Sequence, residues 1–406
     1  MNRKYTRVLR QFPMYLEASE ELCRRHGSDS SLLPALTAQV TAPVLFTYVW
    51  NVLLQAERMG LRRLYFLSRD GYVMRQIAQE IAHVCPVSVE LRYLCCSAIA
   101  LRLPCCHRLE YEEAAKLLLR PSGRMTARHL MNRAYLTREE RLAVYDELGF
   151  PESEEELLLS GKDYDALCAR LTRSVSFQRF VRSHADAAFD AAYGYLRQEG
   201  LSDGTPFGIV DAGWNTQVQR DLKRLSDDIP PITGFYFGLD EEPLTGDGGC
   251  SAWYFSAGDI SLRSRFSQGL FACMCAAPHG MTLRYREKEG SFAPILRDHP
   301  TDGAFAEAIE TQLSVCREFA EICAPRLSYT AFDTQDMHRL TKGLLIALMY
   351  RPTEREAQAY TIPFRLDDYA WSYGADASSG LPLRSLRRIV LRRRDAAEHL
   401  VNRFRK

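Results

Sequence analysis

Neither sign of charge dominates this sequence: 52 lysines and arginines stand against 51 aspartates and glutamates, a formal net charge of +1. That balance removes the global field with which a protein recruits nucleic acid, so no nucleic-acid partner is expected and any basic surface has to be local. An export-type apolar run is also missing from the start, Met1-Asn2-Arg3-Lys4-Tyr5-Thr6-Arg7, and a cytoplasmic location is the expectation. Twelve cysteines spread over 406 residues are too dilute for the disulfide framework of a short secreted domain. Zinc ligands sit about two to four residues apart, and adjacent cysteines on a strand cannot both reach one ion. Cys95-Cys96 with Cys105-Cys106-His107, and Cys273 with Cys275, therefore read as buried structural thiols, and no metal site is assigned to them.

Familiar signatures are missing as well. No Gly-x-Gly-x-x-Gly follows a strand, no phosphate loop ends in Gly-Lys-Ser or Gly-Lys-Thr, and there is no His-Glu-x-x-His. Gly246-Asp247-Gly248-Gly249 lacks a following helix and reads as a loop. From Ser30 to Gln55 no residue is charged, which raises the question of a membrane span. Pro34, Pro43 and several polar side chains interrupt it, and a loop followed by a buried helix from Pro43 is expected.

What is present has α/β order. The apolar fraction of 46% supports a large core, and 406 residues call for two or three packed units. A buried strand is expected over Leu61–Ser68, a helix after Gly71 on Val73, Met74, Ile77 and Ile81, and a second strand over Ser88–Leu94. Residues 109–200 read as a helical insertion. In it Thr137 and Glu140 form a capping box, Gly149 stops a helix, and Glu152-Ser153-Glu154-Glu155-Glu156 reads as a solvated helix start. Strands resume over Pro206–Val210 and Ile232–Gly238, with a helix on Val218, Leu222 and Leu225 between them. The fold class is thus α/β: a Rossmann-like, mostly parallel sheet with first half 1–108, insertion 109–200, second half 201–300 and a helical region 301–406. Arginines and apolar residues alternate over 384–406 as in a basic amphipathic helix, suited either to peripheral contact with an anionic membrane face or to docking on its own chain.

Ligands of such sheets bind beyond the carboxyl ends of strands, which singles out two turns. In Ser68-Arg69-Asp70-Gly71, Arg69 is placed to fork onto phosphate or carboxylate, Gly71 loosens the backbone, and Asp70 suits a general base, a cation ligand or a sugar hydroxyl. The bland alternative is a helix cap with Arg69 and Asp70 paired together. In the second turn, Asp211 tips the strand, Gly213 loosens it, Trp214 offers a flat face, Asn215 and Thr216 cap or meet an anion, and Gln219 projects one turn further on. An ordinary capped helix with Trp214 in the core is the alternative there. His279 in Ala277-Pro278-His279-Gly280 is either a ligand-facing or a structural histidine.

The series Leu64-Tyr65-Phe66-Leu67-Ser68-Arg69-Asp70-Gly71-Tyr72, Val210-Asp211-Ala212-Gly213-Trp214 with Gln219, Gly234-Phe235-Tyr236-Phe237-Gly238 and Ala277-Pro278-His279-Gly280 resembles a bacterial family. It is similar to the region after the phosphatase domain in proteins called predicted haloacid-dehalogenase (HAD) superfamily hydrolases, from capsule and lipopolysaccharide synthesis loci. The likeness spans roughly residues 40 to 370. A phosphatase of that type needs Asp-x-Asp-x-Thr, whose first aspartate accepts the phosphoryl group; here Ser68 stands in that place if Asp70 is the second. The two polar turns and the resemblance together imply an enzyme of surface-polysaccharide assembly that binds a phosphorylated or nucleotide-linked sugar, with Asp70 and Asp211 as the catalytic candidates, one of them base or cation ligand; the cofactor is left open, a divalent cation such as magnesium being one choice. A HAD-type phosphomonoesterase and a non-catalytic partner of a polysaccharide enzyme are the alternatives.

Overall fold

In the computed structural model, residues 1–364 are described apart from 28–30, 122–124, 247, 300–302, 330–332 and 351. The basic amphipathic segment expected over 384–406 lies outside the described residues. Five strands form one parallel sheet: β1 (Arg63–Leu67), β2 (Glu90–Leu94), β3 (Phe207–Asp211), β4 (Thr233–Gly238) and β5 (Cys250–Phe255). Their order is β2-β1-β3-β4-β5, which makes the chain a Rossmann-like α/β protein with helical regions. Alternation along each strand explains why both faces are covered. Leu64, Phe66, Val210, Phe235 and Phe237 enter one core with the helix Gly71–Val84, whereas Tyr65, Leu67, Phe207, Ile209 and Tyr236 enter another with the helix Gln217–Leu225. The β1-to-β2 and β3-to-β4 crossovers thus lie on opposite faces, as in doubly wound sheets.

The insertion between β2 and β3 has its own core, built on Leu118, Leu130, Val144, Leu171 and Phe177. The expected capping box of Thr137 and Glu140 is present, and Gly149 ends that helix in the left-handed conformation. The acidic run is not the solvated helix start expected. Glu152–Glu154 is a single 3₁₀ turn, and Glu155 folds inward to meet Arg141 at 3.3 Å and the Tyr145 hydroxyl at 3.2 Å. The 24-residue helix Val175–Gln198 then runs from this core to the sheet, with Phe177 and Val181 at one end and Tyr195 and Leu196 at the other.

The uncharged stretch also departs from expectation. There is no loop before Pro43: Leu33–Arg58 is one continuous helix of 26 residues. A π turn over Thr37–Thr41 lies just before Pro43, which has no amide hydrogen to give. The polar side chains that suggested a loop bond within the helix instead; Thr37 donates to Leu33 O and Thr47 to Pro43 O. This helix is long and apolar enough to cross a membrane, but 94% of its apolar window is buried inside the protein.

Two further elements had no counterpart in the sequence reading: the edge strand β5, and an antiparallel hairpin of β6 (Thr282–Lys288) and β7 (Ser291–Leu296). Glu289 and Gly290 turn the hairpin, both with positive φ, as a two-residue hairpin loop requires. At the other end of the molecule, the carboxylate of Glu356 is only 1% exposed and binds Lys4 Nζ at 2.6 Å, the Tyr5 hydroxyl at 2.7 Å and the Thr353 amide at 2.7 Å. It ties the N-terminal helix Arg3–Leu9 to the helix Glu354–Phe364. Burial opposes ionisation of Glu356, but its partners prevail and hold the carboxyl below the ordinary value.

The stabilisation from Glu356 is therefore present above the pKa of an unfolded glutamate and is lost as pH falls through the lower folded value. Glu356→Leu should destabilise the chain by about 2–4 kcal/mol in urea unfolding at pH 7, because it strands Lys4 and Tyr5. The difference from the parent should shrink below about pH 4.3. Equal loss at all pH values would contradict this account.

Candidate functional site

β1 and β3 are parallel neighbours in register, with Phe66 opposite Val210. Their crossovers leave on opposite faces, which makes this the switch point where doubly wound sheets form their ligand crevice. The two turns singled out from the sequence are the two that flank this crevice.

In the first turn Arg69 and Asp70 are buried, 8% and 4% exposed. Asp70 occupies the position before the helix Gly71–Val84, yet its side chain caps no amide there. Gly71 is required by contact and not by a special backbone angle: a Cβ on it would come within 2.7 Å of the Phe66 carbonyl carbon. Ser68 is engaged within the protein. Its hydroxyl donates to Cys96 O at 3.0 Å, accepts from the Cys96 amide at 3.1 Å and lies 3.3 Å from Thr282 Oγ1. It pins the end of β1 to the segment after β2.

In the second turn Asp211 is half-buried, with its backbone carbonyl accepting from the Tyr48 hydroxyl at 3.2 Å. Burial, and then the neighbouring Asp70 carboxylate, push its pKa up to about 8, against hydrogen bonds from the Ala212 and Gly213 amides. Gly213 has φ +130°, and a side chain there would strike Gly238 O. Both turns contain a cis peptide, Ser68-Arg69 and Gly213-Trp214.

Three residues expected to meet a ligand in this turn have partners within the protein. Trp214 stacks on Phe255 at 6.0 Å and meets Phe266 and Phe271 edge-on, so one of its faces already belongs to the core. Thr216 is fully buried, and its amide and hydroxyl both donate to Glu241. Gln219 is buried too: its Nε2 donates to Ile232 O and Gly248 O, and its Oε1 accepts from the Tyr236 hydroxyl. Only Asn215 stays exposed, with Oδ1 accepting from the Gln217 amide.

His279 joins the first turn. Its Nε2 lies 2.8 Å from the Tyr93 hydroxyl and its Nδ1 2.9 Å from Gly280 O, while its ring meets Tyr72 and Tyr93 edge-on. Burial lowers its pKa, opposed by the Gly280 bond and assisted by the charge of Arg69. Two residues missed from the sequence sit close by. Burial and then Arg69 lower the pKa values of both His299 and Arg297. The buried Nε2 of His299 has no hydrogen-bond partner among the described residues. The sequence signal, Arg297-Asp298-His299, follows β7, and without that hairpin nothing connects it to residue 69.

The site therefore gathers two carboxylates, two arginines and two imidazoles whose pKa values burial lowers. Among the described residues no group of three or more His, Cys, Asp or Glu side chains forms a metal centre, and all twelve cysteines are free. Burial raises the Cys95, Cys96, Cys105 and Cys106 thiols, as expected of structural cysteines. Compared with known proteins, the chain matches no family model and no curated relative.

Asp211 gives a signed pH effect. An unfolded aspartate ionises near about 3.9, whereas folded Asp211 keeps its proton up to about 8. Between these values the folded chain holds the extra proton, so stability falls as pH rises through the interval and levels off above it. Asp211→Asn should raise stability at pH 8.5 by about 2–5 kcal/mol and flatten this slope, as read by unfolding at a series of pH values. A destabilised variant at pH 8.5 would sink the assignment.

Proposed function

We propose that the chain is an enzyme of bacterial surface-polysaccharide assembly that binds a phosphorylated or nucleotide-activated sugar at the β1–β3 crevice and transfers its glycosyl or a related group. The observation that carries this reading is the juxtaposition of Asp70 and Asp211 with Arg69, Arg297, His279 and His299 at the point where the crossovers diverge. Arginines fork onto phosphate oxygens, and the first amides of the helix Gly71–Val84 add a positive dipole end. With its pKa pushed up to about 8, Asp211 is a stronger base than an ordinary aspartate once ionised, which suits it to take the proton of an acceptor hydroxyl at mildly alkaline pH or when a bound cation favours its ionised form. The unpartnered His299 Nε2 is a further donor or acceptor for the same guest.

Magnesium is commonly held by one or two carboxylates together with substrate phosphates and water, so Asp70 and Asp211 fit that donor set. When bound, the ion would neutralise phosphate charge and favour the ionised form of Asp211. The phosphomonoesterase alternative has less support: the hydroxyl of Ser68, where a phosphoryl-accepting aspartate would have to stand, is taken up by Cys96.

Thermal unfolding with a panel of nucleotide sugars and sugar phosphates, with and without magnesium, tests the proposal. At least one compound should raise the melting temperature by roughly 3 °C or more at saturation. The rise should disappear in Arg69→Met and fall at least about tenfold in apparent affinity in Asp70→Asn. No response from any compound, or responses indifferent to both changes, would remove the proposal; magnesium-dependent phosphate release lost in Asp70→Asn would favour the hydrolase.

A further inference from the structure

Beside the two polar turns lies a hydrogen-bonded pair that neither carboxylate explains. Tyr93 stands near the carboxyl end of β2, level with Phe66 of β1 in the parallel register. Its ring lies on the same face of the sheet as Phe66, against the core shared with the helix Gly71–Val84. Tyr93, Tyr72 and His279 are all half-buried, and their rings meet pairwise edge-on with centroids 5.5, 5.8 and 5.6 Å apart.

What each atom can give or take fixes the direction of the hydrogen bonds. Gly280 O only accepts, so His279 Nδ1, 2.9 Å from it, carries the ring proton. In the neutral ring Nε2 is then an acceptor, and the Tyr93 hydroxyl 2.8 Å away donates to it. Burial lowers the pKa of this imidazole and so favours the neutral form. A hydroxyl, a base within reach of its proton and a third group that orients the base form the arrangement that activates a nucleophile. Arg69, which is to hold the guest's phosphate, is near enough to Tyr93 and His279 for its charge to act on both. Other tyrosines differ. Tyr193 gives its hydroxyl to the carboxylate of Asp228, and among the described residues Tyr72 makes no hydrogen bond to an imidazole.

We propose that Tyr93 is the nucleophile of the strand-tip site, with His279 as its base, and that glycosyl transfer there passes through a covalent tyrosyl intermediate with net retention at the anomeric carbon. The reaction class rests on the reading of the crevice as a sugar-phosphate site, whereas the activation of Tyr93 rests on its hydrogen bonds alone. In the first step Tyr93 Oη bonds to the anomeric carbon and its proton passes to His279 Nε2. The bond from that carbon to the phosphate oxygen breaks, and the electron pair leaves on the phosphate. In the second step the oxygen of an acceptor hydroxyl bonds to the same carbon while Asp211 takes its proton. The bond to Tyr93 Oη breaks as His279 returns the proton to that oxygen. Two inversions at one carbon restore its configuration, and tyrosine is a competent nucleophile for such displacements.

An aryl sulfonyl fluoride of low intrinsic reactivity tests the activation on the full chain with no sugar present. Attack by a tyrosine oxygen expels fluoride, the phenol proton passes to the neighbouring base, and peptide mass spectrometry reads each labelled position. Tyr93 should react at least about tenfold faster than Tyr72 and Tyr193, both also half-buried. His279→Phe keeps a ring against Tyr72 and Tyr93 but removes the base; it should bring Tyr93 down to the rate of Tyr72 and leave Tyr193 and the circular dichroism spectrum unchanged. Labelling of Tyr93 no faster than that of Tyr72 in the parent chain would overturn the proposal, whether or not the variant folds, and so would fast labelling in folded His279→Phe. With any sugar that is transferred, proton NMR should show the donor's anomeric configuration kept; inversion would exclude the double displacement. A silent nucleotide-sugar panel with a fast Tyr93 removes the crevice reading and leaves the activated tyrosine, whereas a responsive panel with a slow Tyr93 does the reverse.

Discussion

The site depends on an electrostatic constraint: two carboxylates end neighbouring parallel strands, where burial leaves little water between them to separate their charges. Neither can be moved aside. Gly71 packs its helix directly on Phe66, and Gly213 brings the second turn onto Gly238, so the backbone fixes where Asp70 and Asp211 stand. The protein meets the cost through protonation of Asp211 and through the Ala212 and Gly213 amides. Such an arrangement does little for stability. Its tuned proton affinity is what a site that binds a cation or an anionic guest would use.

The sheet and its two polar turns were legible because they follow from local pattern. Short apolar runs ending in charge and glycine mark buried parallel strands, and helical spacing after Gly71 and after Thr216 marks the crossovers. Turn chemistry located the crevice but could not say which side chains face it. Thr216 and Gln219 have the same polarity as ligand-binding residues, yet Glu241, Ile232 and Gly248 claim them through contacts that span 13 to 29 positions. Trp214 was ambiguous in the same way until Phe255, Phe266 and Phe271 gathered around it.

What the sequence hid has physical causes too. Pro34 and Pro43 argued for a break, because sequence rules weigh proline against an ideal α-helix; a π turn changes the bonding pattern just before Pro43 and the helix goes on. Glu155 looked solvated among its acidic neighbours, and only the fold supplies Arg141 and Tyr145 to bury it. The β6–β7 hairpin turns on Glu289-Gly290, a weaker signal than Asn-Gly, so Arg297 and His299 had no visible route to the crevice.

The hairpin explains how residues far along the chain come to the ends of β1 and β2. Ser68 and Ser97, at the ends of β1 and β2, bond to Thr282 at the start of β6, and the Tyr285 hydroxyl donates to Cys95 O. These bonds fix the hairpin's first strand against the sheet, while its second strand leads to Arg297, whose amide donates to Met281 O. His279 and Arg297 thereby arrive near Arg69 together, from the two chain segments at the open end of one hairpin. The helix Val175–Gln198 supports the same hairpin from outside, since Gln198 bonds the Phe292 backbone and Tyr195 stacks on Tyr285. That helix begins in the core of the insertion, and Arg120 of the insertion also reaches Gln217 at the start of the helix after β3. The insertion is thus tied to the hairpin and to the helix after β3, the two elements that border the polar turns, which gives a physical reason for its place between β2 and β3.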